Sequence, residues 1–67
     1  MNLTIAQQAT LKEMRSYDYY VFRQATAQTL TDMGLAEVVP GDERKKRPGR
    51  RLTKAGRAIA TDLVNQR

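Results

Sequence analysis

Apolar positions recur along this chain with a helical period in three stretches and with a strand period in one, and the punctuation between them sets the elements. From Thr4 to about Arg15, Leu3, Ala6, Leu11 and Met14 fall on one side at helical spacing, while Ile5 lies opposite as a second contact surface. Thr4-Ile5-Ala6-Gln7 fits a capping box, in which hydroxyl and amide satisfy free backbone donors reciprocally. Ser16 or Asp18 offers the next N-cap after a short turn. A second helix is expected over Tyr19–Met33, with Tyr19, Phe22, Ala25, Leu30 and Met33 as its inward stripe. Gly34 follows where a left-handed residue closes a helix, and Leu30 and Leu35 hold the two positions whose apolar contact accompanies a Schellman cap.

The period then changes. Leu35–Val39 reads as a short strand ended by Pro40, and Arg50–Thr53 as the return strand of a hairpin. Helical spacing resumes with Ala55, Ile59 and Leu63 in one row, Thr53 as N-cap and an end near Gln66. The expected fold class is α+β, mainly α, in the order helix, helix, strand, basic loop, strand, helix. Sixty-seven residues allow one small domain, 1–67, with a thin core, and chains of this size often gain stability by pairing, so a homodimer is expected.

Charge alters this picture at one place. Between Asp42 and Arg57 stand eight Lys or Arg against two acids, a local charge of +6, whereas the rest of the chain sums to −1. A Gly/Pro-punctuated loop so loaded is suited to a polyanion, and nucleic acid is the first expectation. The chain has no Cys and no His, which removes disulfides, thiolate and imidazole chemistry and the usual zinc sets. Its seven acids show no pairing beyond Asp42-Glu43. No catalytic residue, metal, cofactor or small-molecule ligand is therefore indicated, and an enzyme is the least expected class. No window approaches the roughly 18 apolar residues of a membrane span, and no signal-peptide run is present, so a soluble, cytoplasmic, nucleoid-associated protein is expected.

Met33-Gly34-Leu35, followed by Leu52-Thr53-Lys54-Ala55-Gly56-Arg57, resembles the C-terminal half of winged helix-turn-helix regulators of the multiple-antibiotic-resistance type. In such domains a recognition helix ends in a Gly-Leu step, a charged hairpin forms the wing, and a Leu-Thr-x-x-Gly segment starts the next helix. The resemblance spans about Tyr19 to Leu63, and Leu-Thr-x-x-Gly after a basic hairpin is its more specific part. Such domains carry three helices before the wing, whereas this chain has room for two, or for two plus a turn at residues 16–20.

The resemblance implies a small bacterial or phage DNA-binding regulator whose helix over Tyr19–Met33 enters a major groove. With Phe22, Leu30 and Met33 inward, projection sets Tyr20, Gln24, Ala27, Gln28 and Thr31 outward and Arg23 at the margin. Gln pairs with adenine, Arg with guanine or phosphate, and Ala or a Thr methyl meets thymine. As a wing, Arg44, Lys45, Lys46, Arg47, Arg50 and Arg51 would lie on phosphates or enter a minor groove.

The same loop also reads as a solubilising charge run or an import-type patch, and Pro48-Gly49 favours the wing because those residues turn the chain. Lys54 and Arg57 stand beside free amides at a helix start, a secondary phosphate site. Gly56 is expected to permit close packing, and Phe22 to lie in the core beside Tyr17, Tyr19 and Tyr20, a cluster that could instead stack single-stranded bases. Other readings remain open: a protein-interaction module that meets an acidic partner through the basic loop, with Ile5, Ala60 and Val64 as an apolar seam, or an RNA-binding protein.

Overall fold

Thr4 starts the first helix, α1 (Ile5–Met14), as the capping box dictates: its hydroxyl accepts from the Gln7 amide and its own amide donates to Gln7 Oε1, both at 3.0 Å. The computed structural model describes residues 2–66. Leu11 and Met14 are fully buried and Leu3 packs on the core's margin, while Ile5 stands 86% exposed. Ala6, expected inward, is exposed. Thr10 takes that place, buried, with its hydroxyl donating to the Ala6 carbonyl at 2.8 Å so that no polar atom is left unpaired there.

The second helix differs most from the pattern. It is α2, Gln24–Asp32, and neither Ser16 nor Asp18 caps it. The chain turns after Met14 and bends at 18–19 and again at 22–23, and between the bends Tyr20 exchanges two backbone hydrogen bonds with Arg50, each 2.8 Å. Pairing to a strand and burial of the whole Tyr20 side chain outweigh the helical spacing of residues 19–23. Phe22, expected in the core, is 54% exposed, and Ala25 is exposed as well. Ala27 and Leu30 form the inward row instead, with Met33 at its edge.

The far end of α2 follows the sequence closely. Gly34 takes φ +80°, its amide donates to Thr31 at 3.0 Å, and the Leu35 amide donates to Leu30 at 2.9 Å. This is the Schellman pattern, with Leu30 and Leu35 both buried.

Strands β1 (Ala36–Val39) and β2 (Gly49–Leu52) then pair antiparallel in the register Ala36↔Leu52, Glu37↔Arg51, Val38↔Arg50 and Val39↔Gly49. Ala36 and Leu52 are buried, whereas Glu37 and Arg51 form an exposed ion pair at 2.5 Å on the other face.

Thr53 caps the last helix, α3 (Lys54–Asn65): its hydroxyl accepts from the Gly56 amide at 3.2 Å and donates to the Gly34 carbonyl at 2.8 Å. The cap thus ties α3 to the end of α2. Gly56 seats on the Leu35 carbonyl, where a Cβ would collide, and this contact sets the roll of the helix. The row facing inward is Gly56 and Ala60; Ile59 and Leu63 flank it and Ala55, expected in the stripe, is exposed. The fold is α+β and mainly helical, in a winged-helix layout, with α1 packed on α2 and α3 and the core gathered between the helices and the root of the hairpin. Among the described residues no helix is long and apolar enough to cross a membrane.

Candidate nucleic-acid interface

Between β1 and β2 the chain carries its charge on a loop that is tied at several points. Asp42 Oδ1 accepts from the amides of Arg44 at 2.8 Å and Lys45 at 2.7 Å, a local turn that Asp favours. Those amides, Lys45 first, hold the Asp42 carboxyl below its usual range. At the other side the Tyr19 hydroxyl donates to the Arg47 carbonyl, and Lys45 Nζ lies 4.4 Å from the Tyr19 ring centroid. The same ring covers Gly49, whose missing Cβ would fall 2.7 Å from it. Tyr19 therefore clamps the loop at both ends of its last turn. Arg44, Lys45, Lys46 and Arg47 all remain exposed.

Arg50 joins this loop to α2. Its Nη2 donates to Gln28 Oε1 at 2.7 Å, and Gln28 Nε2 in turn donates to Asp32 Oδ1 at 2.9 Å. Nη1 reaches the Gly49 carbonyl at 3.2 Å, so the guanidinium plane is fixed. The outward face of α2 and the root of the basic hairpin are one continuous surface.

The residues expected to read bases divide on this surface. Gln24 is exposed, with one contact of its amide nitrogen to the Val21 carbonyl at 3.5 Å. Gln28 is exposed too, but both ends of its amide are engaged within the protein. Tyr20 and Ala27 are corrected: they are 0% and 1% exposed and cannot meet a groove. Thr31 is half-buried, its hydroxyl donating to the Ala27 carbonyl at 2.8 Å. Ala25 and Thr29, absent from the expected set, stand exposed instead, a consequence of the later start of α2.

Arg23 sits at the helix start in the left-handed region, φ 48°, with no side-chain cap and its guanidinium 3.9 Å from Glu13. Arg51 pairs with Glu37, Lys54 is exposed at the start of α3, and Arg57 lies 3.9 Å from Asp18.

Tyr20 has a different role from the one its position in the pattern suggested. Its ring meets Tyr17 at 5.4 Å and Phe22 at 5.6 Å, both edge to face. Its hydroxyl is buried and has no hydrogen-bond partner of good geometry among the described residues. Burial first, then the nearby Glu13 carboxylate, pushes the phenol up to about 12.

Beside this cluster a cleft of about 280 Å³ opens between the residues leading into α2 and the end of the basic loop. Val21, Phe22 and Gln24 line it from one side, Arg47, Pro48 and Arg50 from the other. The signal for this region was present in the sequence: Tyr17, Tyr19, Tyr20, Val21 and Phe22 are strand formers crowded into six positions, and they favour an extended segment over a helix. No family model matches the chain, and no characterised protein or solved structure matches it at a significant level.

Proposed function

We propose that the chain is a small winged-helix DNA-binding protein, a transcriptional regulator that grips duplex DNA with its basic wing and sets the outward face of α2 in the adjacent major groove. The observation that carries this reading is the Arg50–Gln28 hydrogen bond of 2.7 Å, which unites the +6 segment and the α2 face into one surface. Lys46, Arg47 and Arg44 contact phosphates, and Gln24, with the small residues Ala25 and Thr29 beside it, is the reader of base edges. Nucleoid association follows from that role.

Pairing of two copies through α1 and α3 belongs to the same proposal. Ile5 and Val64, 86% and 45% exposed, supply the apolar contact, while Ala60 is wholly buried in its own core and takes no part.

Fluorescence anisotropy on a mixed-sequence duplex tests the reading. Contact with three or four phosphates gives a log–log salt slope of about −3 to −4 between about 50 and 200 mM salt. Lys46→Ala with Arg47→Ala flattens that slope by roughly 1 to 2. Binding that is absent at about 50 mM, or flat across that range, refutes the DNA reading and favours an acidic protein partner.

A further inference from the structure

The cleft beside α2 has a chemistry that phosphate binding alone does not use. Phe22 is the single Phe of the chain and is 54% exposed on its rim, at the edge of the most charged region of the protein. Edge-to-face contacts with Tyr17 at 6.2 Å and Tyr20 at 5.6 Å orient its ring without covering it. A ring held this way loses little freedom when a flat ligand stacks on it.

Across the cleft stand two guanidinium groups. Arg50 is fixed by its bonds to Gln28 and Gly49, and the Arg47 backbone is held by Tyr19. Gln24 adds an uncharged amide with one donor or acceptor pair to offer. The first turn of α2, which begins at Gln24 on the cleft wall, has no capping side chain.

A ligand that satisfies all three walls is flat, apolar on its faces, hydrogen-bonding along its edge and joined to an anion. The volume, just under the roughly 300–1,000 Å³ of small-ligand clefts, suits one such unit.

We propose that this cleft seats one unpaired, extrahelical nucleobase of a DNA strand, with its face on Phe22, its edge on Gln24 and a flanking phosphate on Arg47 and Arg50. The inference rests on the duplex-binding reading and adds to it: the protein selects DNA in which a base is already out of the stack, because such a base has no unstacking to undo.

Anisotropy titrations with the full chain on three duplexes of one sequence test this: fully paired, carrying one bulged adenine, and carrying an abasic bulge that keeps the extra phosphate. The bulged adenine is expected to bind roughly 5- to 100-fold tighter than the paired duplex, the worth of one base–aromatic stack, and the abasic bulge to lose most of that gain. Phe22→Ala removes the preference and leaves paired-duplex affinity in place, whereas Phe22→Tyr retains it; circular dichroism confirms that both variants fold.

Equal tightening by the adenine and abasic bulges would overturn the slot, since backbone flexibility would then explain the preference. So would a Phe22→Ala protein that keeps the adenine preference. Equal binding to all three duplexes overturns the slot and leaves duplex recognition standing. No binding to any of them overturns both.

Discussion

The two ends of α2 are made by opposite means. At its C-terminus the helix is closed by its own neighbours: Gly34 reverses the chain, two backbone bonds satisfy the last carbonyls, and Leu35 covers Leu30. At its N-terminus Arg23 supplies no side-chain cap, and the segment that leads into it is held from far away by the Tyr20–Arg50 bridge and by burial of Tyr20. A locally closed end can be stable and inert; an end held from outside keeps free amides, an exposed ring and two arginines around one opening. The open end is therefore held by the same neighbourhood that would meet a ligand, since Tyr20 and Arg50 both line the cleft beside it.

Tyr20→Ala should break the comparison most severely. Removing a fully buried aromatic from a thin core costs about 3–5 kcal/mol, read from urea unfolding, and should release the start of α2. Tyr20→Phe gives the opposite control. It removes a buried hydroxyl with no good partner, so stability should be unchanged or higher by up to about 1 kcal/mol. A loss above that size would mean that the hydroxyl is satisfied in solution, by Glu13 first.

The same pair has a pH signature. The folded-state phenol lies at about 12, above the ordinary value of 10.0, so the folded protein holds its proton where the unfolded chain releases it. The contribution of Tyr20 is complete below pH 10.0 and is lost as pH rises through about 12. Urea midpoints across that window should fall more steeply for wild type than for Tyr20→Phe, and parallel curves would refute the assignment.

Gly34→Ala tests the closed end. No atom lies within 4 Å of the added Cβ, so the cost is that of an L-residue at φ +80° alone, about 1–2 kcal/mol. The midpoint should shift by less than in Tyr20→Ala; a larger shift would reverse the order of the two ends.

Arg23→Gly should have the smallest effect. Relief of the left-handed backbone at φ 48° and the greater freedom of an unfolded Gly oppose each other, leaving a change within about 0.5 kcal/mol. A clear loss would assign a stabilising role to the Arg23–Glu13 contact.

Features that depend on a few adjacent residues were legible in the sequence. The capping box at Thr4, the Schellman end at Gly34, the hairpin and the Thr53 cap each have a local cause that propensity and spacing express. The segment 16–23 was not legible by period, because its conformation is set by a strand distant in sequence. Once Tyr20 turned inward there, the helix began at Gln24, and Ala27 entered the core while Phe22 left it. The basic loop was visible as charge, but the Tyr19 clamp and the Gln28–Arg50 link join residues from separate elements, and no spacing rule announces such pairs. The roll of α3 was missed for a related reason: a single Gly seated on a carbonyl outweighed the larger side chains of Ile59 and Leu63 in choosing the buried row.

Arg50 is bonded through its backbone to Tyr20 on one side and lies opposite Val38 on the other, so β2 stands between β1 and a single bridging residue beyond the two-stranded sheet. That position gives the protein a timetable. The hairpin and the Gly34 end can form from near neighbours, whereas the Tyr20–Arg50 pairing must wait for the intervening chain to be arranged, and contacts of that kind are slow to close. The entrance to α2 thus belongs, with the packing of α1 on α3, to the contacts that close a long stretch of chain, and amide protons at Tyr20 and Arg50 report on whether it is formed.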